Sequence, residues 1–370
     1  MTADAERTLL AGAKPGLRVL EDEALNAEAS VALLDAPLTP IPNFFVRNNG
    51  RLPPAAPADD WTLTLDGEVE RPTTWTLSEL KRRFASVTLT AVLECAGNGR
   101  AGFPALTEGL PWTLGAVGCA RWTGVRLADL LRDAGVKASA IYTGHCSPDE
   151  SVAKPGTPAI SRGLPIAKAL APETLLAFAM NDEPLTHLHG APLHVVAPGF
   201  PGSAWQKWLA RIWVRDREHD GEKMTGTNYR LPTKPIGPGD PVEPADFAAI
   251  TDMPVKSLIT APLEGFSAAC GESVLVAGFA WSGHTAVASV AVSSDGGRRW
   301  REAALDPVAD RFAWRRFRAE AAFTEEGPLL IMAKATDEAG REQPLGSPSW
   351  NPRGYCNNAV HRVCGTVARA

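Results

Sequence analysis

The segment LECAGNGR, residues 93–100, carries the residue types and spacing best suited to chemistry. An apolar run leads into Cys95, and Gly97 and Gly99 then allow the backbone to turn tightly. A cysteine at a strand end, close to the cation of Arg100, favours the thiolate form. Because thiolates bind soft or high-valent metal ions, the segment predicts a metal ligand at Cys95. Residue type alone favours the alternative, an inert buried cysteine beside a tight turn.

Four further segments place a basic or imidazole side chain beside an apolar run. Taken singly, each has a plain structural interpretation: Arg47 as a surface ion pair, Lys207 as a side chain with a buried stem, and His194 as a satisfied core histidine. No single one of them therefore identifies a function. The segments are FFVRNN (44–49), NDEPLTHLHGAPLHVVAPGF (181–200), WQKWLARIWV (205–214) and WNPRGYCNNAVHRV (350–363).

Short helices and strands that could position these residues alternate in the first two thirds of the chain. The run WTLTLDG (61–67) alternates apolar and polar residues and ends in an Asp-Gly turn, which is typical of a strand. Thr76 and Glu79 have the spacing of a helix capping box. A second helix is predicted over 125–134 and a strand over 87–93. The pattern predicts a mixed α+β domain.

The pattern changes near residue 250. Four prolines mark a linker-like stretch: Pro235, Pro241, Pro244 and Pro254. Beyond it, β-rich runs such as VLVAGFAWSG alternate with Gly and Asp-Gly turns, as in a β-sandwich. We therefore predict an N-terminal arm (1–40), a mixed α+β domain (41–248) and a β-sandwich domain (249–370).

Composition and charge exclude several classes of protein. The chain has 370 residues and a net charge of −5, which gives no bulk attraction for nucleic acid. No apolar stretch approaches the roughly 20 residues of a membrane helix, so no membrane insertion is expected. No secretory or twin-arginine leader is visible, which predicts a cytoplasmic protein, or a periplasmic one if a leader has been removed. No C-x-x-C-H motif occurs, so no haem is expected.

Taken together, the five segments resemble the sulfite oxidase family of molybdopterin enzymes, of the haem-free bacterial type, in content and order. The resemblance extends from about Pro42 to Val363 and is strongest in LECAGN. Further support comes from GLPWTLGAVGCARWTGVRLADLL (109–131), NDEPL…HGAPLHVVAPG and WN-x-RG…N-A-x-HRV. It implies a mixed α/β molybdopterin domain followed by an immunoglobulin-like dimerisation domain, and hence a homodimer.

The same resemblance implies a role for individual side chains. Cys95 matches the family's thiolate ligand to molybdenum, Tyr229 its active-site tyrosine, and Trp112 a tryptophan of the substrate pocket. The basic residues around the substrate correspond to Arg47, Arg100 and Arg353. Positions that hold the molybdenum–molybdopterin cofactor correspond to Phe45, Val46, Arg47, Cys95, Asp149, His189, His194, Gln206 and Lys207.

Two residues depart from the family pattern. Asn49 stands where a His commonly follows the Arg-Asn of the first motif. His194 stands where the family often has Arg, and a histidine there removes a permanent forked donor for phosphate. We expect a different arrangement of the cofactor pocket, with His194 contributing a single hydrogen bond.

The implied reaction is the oxidation of sulfite to sulfate, with electrons passed to an external acceptor: a c-type cytochrome, another carrier or oxygen. A sulfane-sulfur dehydrogenase of the thiosulfate pathway shares the LECAGN pattern. A nitrate reductase is the other alternative, although those relatives tend to carry Met at the position of Arg353. From another class, the chain could be a metal-free binding or adaptor module, and a metal analysis would separate that possibility from the enzymes.

Overall fold

The computed structural model describes residues 3–323 and 325–369. The first two thirds combine four helices with fourteen strands in this described part. The helices are α1 (Ala3–Ala13), α2 (Leu77–Arg83), α3 (Leu127–Ala134) and α4 (Ile166–Ala169). The strands are β1 (Arg18–Glu21), β2 (Asn26–Glu28), β3 (Thr62–Gly67), β4 (Thr73–Thr76), β5 (Ser86–Glu94), β6 (Val117–Arg126), β7 (Tyr142–Cys146), β8 (Gly163–Pro165), β9 (Leu175–Met180), β10 (Glu183–Pro184), β11 (His194–Val196), β12 (Arg211–Arg215), β13 (Arg230–Pro232) and β14 (Phe247–Ala249).

Helix α2 begins as its sequence predicts. The Thr76 hydroxyl accepts a hydrogen bond from the Glu79 amide at 3.2 Å, and the Glu79 carboxylate accepts one from the Thr76 amide at 2.8 Å. Each thus satisfies a backbone donor that the first helical turn leaves without a partner. Helix α3 ends at Gly135, whose φ of 71° lies in the left-handed region open to glycine. Both predicted helices are confirmed.

Two five-stranded sheets share one apolar core. The first has the order β10-β9-β6-β5, with β11 also pairing β9, and all its pairs are antiparallel. The second has the order β4-β3-β12-β7-β8, in which β12 runs parallel to β3. Leu63 and Ile212 from the second sheet and Val125 and Leu176 from the first lie in the same buried cluster. The edge of the first sheet is β5, which delivers Cys95.

The last third forms two further sheets around a separate core. Their orders are β15-β17-β21-β20 and β16-β23-β22-β18-β19. Val276, Phe317, Ile331 and Val363 from both sheets are buried together, which makes the pair a β-sandwich. The predicted fold class, a mixed domain followed by a sandwich, is confirmed. The strands are β15 (Lys256–Ala261), β16 (Phe266–Ala269), β17 (Ser273–Trp281), β18 (Val287–Ser293), β19 (Arg301–Glu302), β20 (Ala304–Leu305), β21 (Arg315–Ala322), β22 (Gly327–Asp337) and β23 (His361–Ala368).

A buried ion pair joins the two parts of the molecule. Lys256 at the start of β15 donates to the Glu94 carboxylate at the end of β5, with nitrogen and oxygen 3.0 Å apart. The Trp281 indole donates to the other oxygen of Glu94 at 2.8 Å. Asn98 completes the network, because its amide donates to Glu94 and its carbonyl accepts from Lys256. The strand end that precedes Cys95 is therefore fixed from the sandwich side.

The N-terminal residues pack on the segment that contains Arg47. Strands β1 and β2 form a hairpin, and Ala27 in β2 exchanges backbone hydrogen bonds with Val46 at 2.9 Å. Lys14, which follows α1, is buried and donates to the carbonyl of Phe44 at 2.8 Å. No helix in the described residues is long and apolar enough to cross a membrane.

Candidate active site

Cys95 follows β5 directly and begins a tight turn. Its side chain is only 6% exposed, and its sulfur accepts a hydrogen bond from the Gly97 amide at 3.4 Å. A β-carbon at Gly97 would lie 2.5 Å from the Arg100 guanidinium, so only glycine lets the cation pack there. Gly99 has a φ of 92°, a conformation that other residues seldom adopt.

The turn after Cys95 is held from the C-terminal end of the chain. The Cys356 amide donates to the carbonyl of Ala96 at 2.8 Å. The Asn357 side chain donates to the carbonyl of Gly99 at 2.9 Å. Backbone groups of the turn thus find partners in a segment more than 250 positions later in the chain.

Two pockets meet at Cys95. An inner, largely apolar pocket lies on one side, and a wide outer funnel that opens to the surface lies on the other. Both are lined by Cys95, Arg47, Asn48, Asn49 and Tyr229. Arg100, Arg353 and Trp112 line the funnel only. Phe45, Asp149, His189, His194, Gln206 and Lys207 line the inner pocket only.

The structure thus separates the predicted residues into two groups. Those that the family resemblance associates with the substrate face the funnel, and all but one of those that it associates with the cofactor line the inner pocket. Val46 is the exception. It is buried with Leu25, Leu52 and Leu188, and it lines neither pocket.

Arg47 is oriented by neutral oxygen atoms. One terminal nitrogen donates to the Asn26 side-chain oxygen at 3.1 Å, and the other donates to Asn49 at 3.1 Å and to the Tyr229 hydroxyl at 3.4 Å. Burial acts to lower the pKa of Arg47, but attraction from Tyr229, Cys95, Tyr355 and Glu21 together outweighs it and leaves the pKa raised. The guanidinium therefore stays charged within electrostatic reach of the thiol.

Arg100 is likewise bound by carbonyl groups. Its Nε donates to the carbonyl of Arg353 at 2.6 Å, and a terminal nitrogen donates to the carbonyl of Leu110 at 2.7 Å. Its guanidinium lies 5.4 Å from the centre of the Tyr355 ring. Burial lowers its pKa, and the opposing influence of Cys95 again indicates proximity to the thiol. Arginine remains protonated at working pH despite such a shift.

Asn49 is the hub of the polar contacts beside Cys95. Its side-chain oxygen accepts from Tyr229 at 3.0 Å and from the Lys223 ammonium at 3.1 Å, in addition to Arg47. An amide oxygen has two lone pairs for the surrounding donors to share, whereas a histidine has at most one ring acceptor. The asparagine therefore suits a site in which Lys223 supplies an additional cation, whose pKa is lowered by burial.

The inner pocket contains buried polar atoms that lack partners. The His189 Nε2, the His194 Nδ1 and the Ser203 hydroxyl make no hydrogen bond within the described part of the chain. Such atoms are costly unless a ligand or water binds them. Burial lowers the pKa of His189 far below its usual value and that of His194 to about 3, so both rings are neutral.

Lys207 brings a buried cation to the same pocket. Its ammonium donates to the carbonyl of Leu188 at 3.0 Å and to the side chain of Asn48, and it lies 4.4 Å from the centre of the Trp208 ring. Burial lowers the pKa of Lys207 to about 7. A phosphate group would satisfy this ammonium and accept from the Nε2 of His189. The Nδ1 of neutral His194, whose Nε2 donates to the carbonyl of Trp205, would instead accept a hydrogen bond from a donor on the ligand. The pocket therefore fits a pterin with a phosphate.

Asp149 and Gln206 form the polar edge of the inner pocket. Burial raises the pKa of Asp149, whose carboxylate accepts from the Ser147 hydroxyl. The Gln206 amide donates to that hydroxyl at 2.5 Å and, more weakly, to the carbonyl of Ile160 at 3.4 Å. The Nε2 of His194 donates to the carbonyl oxygen of Trp205 at 3.0 Å, which leaves its Nδ1 as an acceptor for a ligand. The single hydrogen bond of His194 to the cofactor stays a prediction.

Comparison with known proteins identifies the family. The oxidoreductase molybdopterin binding domain family matches residues 49–223, and the Mo-co oxidoreductase dimerisation domain family matches residues 247–367. Sulfite oxidase of Arabidopsis thaliana is 31% identical over 94% of this chain and 93% of its own length. The chain belongs to the sulfite oxidase family. It is thus a molybdopterin oxidoreductase, as the resemblance of its motifs predicts.

Two other members of the family differ in name and in length. The mitochondrial sulfite oxidase of Rattus norvegicus is 36% identical over 94% of this chain, which spans 65% of the rat protein. The sulfane dehydrogenase SoxCD of Paracoccus pantotrophus has a solved structure that is 26% identical, with a TM-score of 0.79 over 98% of this chain and 92% of that one.

The structure adds site residues that the motifs did not indicate. Each has a polar side chain that lines a pocket or contacts a residue that does, and each lies outside the five segments or at an unremarked position within them. Arg162, for example, is fully buried with its guanidinium 5.2 Å from the centre of the Tyr229 ring. No sequence pattern marks these positions, because their roles depend on long-range packing. They are Asn26, Asn48, Arg162, Ser203, Lys223 and Tyr355.

Proposed function

We propose that the protein oxidises sulfite to sulfate with a molybdenum–molybdopterin cofactor and passes the electrons to an external acceptor. The observation that carries the proposal is the position of Cys95. Its thiol lies where a pocket with orphaned buried polar atoms meets a funnel that contains three arginine side chains. One pocket suits the cofactor and the other suits a small oxyanion.

The inner pocket would hold the cofactor through complementary charge. Lys207 and the Nε2 of His189 would donate to the phosphate, and the Nδ1 of His194 would accept a hydrogen bond from the pterin. Asp149 and Gln206 would bind donors and acceptors of the pterin ring, and Cys95 would bind the metal. When bound, the cofactor supplies an oxygen atom for transfer and accepts two electrons.

The funnel would bind and orient the substrate. Arg47, Arg100 and Arg353 provide charge that does not depend on pH, which suits an oxyanion such as sulfite. Each charge-assisted hydrogen bond contributes about 1.5–3 kcal/mol when water is excluded. Tyr229 is hydrogen-bonded to Asn49 and close to Arg47, so its hydroxyl would position the substrate and hold a proton beside the reacting atoms.

The experiment that tests this function combines metal analysis with a sulfite assay. Purified protein should contain about one molybdenum per chain and reduce ferricyanide with sulfite. Replacing Cys95 with Ser should abolish turnover but leave part of the pterin bound, because the other contacts of the inner pocket remain. Cys364→Ser is a matched control, because Cys364 is exposed on β23. Protein without molybdenum would contradict the proposal, and so would a Cys95→Ser variant with near-normal sulfite oxidation.

Sulfane-sulfur oxidation is the second candidate. It is favoured by the likeness to SoxCD, which extends over nearly the whole chain. Parallel assays with sulfite, a protein-bound sulfane and nitrate would discriminate among the reactions of this fold. Arg353 favours a sulfur oxyanion over nitrate, so nitrate reduction should be weakest. The acceptor, whether a c-type cytochrome, another carrier or oxygen, can be tested in the same assays.

A further inference from the structure

Glu108 is the carboxylate closest to the substrate arginines. It lies on the loop between the 3-10 turn Arg100–Gly102 and β6, and it lines the funnel. Its amide donates to the carbonyl of Pro352 at 2.8 Å, which ties the loop to the segment that contains Arg353. The backbone of Glu108 is therefore fixed, while its side chain is 68% exposed.

The Glu108 carboxylate forms an ion pair with the guanidinium of Arg353. Its Oε2 lies 2.9 Å from a terminal nitrogen of Arg353, whose Nε donates to the Thr227 hydroxyl at 3.1 Å. Arg47 and Arg100, by contrast, form no ion pair within the described residues and donate to neutral oxygens. One of the three guanidinium groups of the funnel thus already has an anion bound.

We infer that Glu108 is an internal competitor that sets the affinity of the funnel for oxyanions. The inference rests on the proposed function, because it assigns Arg353 to the substrate. An oxyanion that binds the terminal nitrogen of Arg353 contacted by Glu108 must displace the carboxylate, and one that binds elsewhere on the guanidinium shares its charge with Glu108. With side chains 30% and 68% exposed, the pair is solvated and weak, so the displacement is possible at a small cost. Glu108 therefore raises the concentration of sulfite at which the enzyme is half saturated.

The first test measures binding of sulfate, a divalent oxyanion, by calorimetry on the molybdenum-loaded protein. Glu108→Gln keeps the size of the side chain and removes its charge. We expect its Kd for sulfate to fall about two- to fivefold, the range for an exposed ion pair. The KM for sulfite should fall by a similar factor, with kcat unchanged. If Glu108 instead orients Arg353 for the substrate, the variant binds sulfate more weakly and the inference fails.

Two further variants separate displacement from a general effect of charge. Glu23→Gln makes the same change in charge on the same funnel, and it should alter the Kd less than Glu108→Gln does. In an Arg353→Met background, Glu108→Gln should change the Kd no more than Glu23→Gln does, because the carboxylate then has no guanidinium to occupy. An equal effect of both Gln variants, or a larger gain from Glu108→Gln that persists without Arg353, would overturn the inference.

The binding measurement also separates this inference from the proposed function. If the expected order of sulfate affinities appears in a protein that does not oxidise sulfite, the competitor is real and the proposed reaction is wrong. If sulfite is oxidised but Glu108→Gln does not change the affinity for sulfate, the proposed reaction is supported and the role of Glu108 as a competitor is refuted. Absence of sulfate binding in every variant would also refute the competitor.

Discussion

At the scale of single residues, the positive charge around Cys95 is preserved because two of the three arginines there donate to uncharged oxygen atoms. Arg47 donates to amide and hydroxyl oxygens, and Arg100 donates to carbonyl oxygens. These partners fix the geometry without neutralising the charge. Arg353 alone of the three has a carboxylate partner within the described residues. The funnel can therefore attract an anion although the whole chain carries a net charge of −5.

Lys207 should make cofactor binding depend on pH. Its pKa is about 7 without the cofactor, and a bound phosphate would raise it. The loaded protein then holds more protons, so affinity for the cofactor should fall as pH rises through about 7. Lys207→Met should weaken retention about tenfold or more and abolish this pH dependence. Molybdenum retained after dialysis at about pH 6 and about pH 9 measures both effects.

A second buried lysine serves as the control for Lys207. Burial also lowers the pKa of Lys14 to about 7, but this side chain lines neither pocket and donates to backbone carbonyls near Phe44. Lys14→Met should therefore leave the pH dependence of molybdenum retention in place, at a higher pH because the charge of Lys14 also lowers the pKa of Lys207. Loss of that dependence in the Lys14 variant, or its persistence in Lys207→Met, would assign the proton to another group.

The sequence indicates the chemically distinctive residues better than it indicates the residues that hold them in place. Cys95 and its glycines form a local pattern, so their turn could be predicted. Lys223 and Asn49 lie 3.1 Å apart but are separated by 174 positions, and Lys223 adopts a φ of 64°. Neither the contact nor the unusual backbone conformation leaves a local signature. The interpretation of Asn49 as a mere departure from a motif was therefore incomplete.

At the scale of elements, the N-terminal hairpin orients Arg47, one of the arginines that line the funnel. Asn26 in β2 is fully buried, and its side-chain oxygen accepts from Arg47 at 3.1 Å and from the Asn48 amide at 2.8 Å. Its own amide donates to Glu21 in β1 at 2.5 Å. The hairpin thus acts as a template on which the segment that contains Arg47 is held.

Asn26→Ala should impair binding more than chemistry. The change removes an acceptor of a charged donor, worth about 1.5–3 kcal/mol, so the KM for sulfite should rise about tenfold or more. The kcat at saturation should change much less, because Cys95 does not contact Asn26. Steady-state kinetics would show the split. Asn43→Ala is a matched control, since Asn43 binds only the carbonyl of Leu33 at 3.3 Å and should leave the KM unchanged.

The ion pair between β5 and β15 should contribute strongly to stability. Lys256→Met leaves the buried Glu94 carboxylate without its cation, which costs about 3–5 kcal/mol. The free energy of unfolding in urea measures the loss. Adding Glu94→Gln should restore part of it, because no charge then remains buried. Arg211→Met, which breaks a half-exposed pair with Asp66, should cost about 1 kcal/mol or less; an equal loss in both single variants would contradict the argument.

Elements with local patterns were predictable, whereas those stabilised by distant partners were not. The residues of the capping box of α2 lie close together in sequence, and so do those of the apolar run of β5. Helix α1 and the β1–β2 hairpin were not predicted within the arm. Strand β2 has only three residues and is stabilised in part by Val46, which belongs to a later segment. Short pairings of this kind depend on contacts that a periodicity analysis does not include.

At the scale of the whole molecule, we propose the division into an arm (1–40), a cofactor domain (41–248) and a sandwich (249–370). Strand β14 (Phe247–Ala249) crosses the second boundary and pairs with β13. The change in composition near residue 250 marks the region but not the residue at which one unit ends. The separate apolar cores on either side support two units.

A homodimer is the expected assembly, because residues 247–367 match a dimerisation domain family. Light scattering during gel filtration should give twice the 39.3 kDa of the chain. The mass should stay constant on dilution across micromolar concentrations if the interface is large and apolar. A mass equal to that of one chain at high concentration would refute the assembly while leaving the active-site assignments intact, since their residues all come from one chain.

Some hydrogen-bond partners of the turn around Cys95 lie near the end of the sequence, and this has a consequence for the order of events during biosynthesis. Ala116 and Thr113 hold the turn locally, but Lys256, Cys356 and Asn357 complete its anchoring. A nascent polypeptide on the ribosome therefore carries the proposed metal ligand, Cys95, in an incompletely anchored turn until synthesis is nearly finished. Loading with molybdenum should then follow release of the full-length product. A prematurely terminated chain that lacks these last contacts should remain empty, however well its earlier sheets fold.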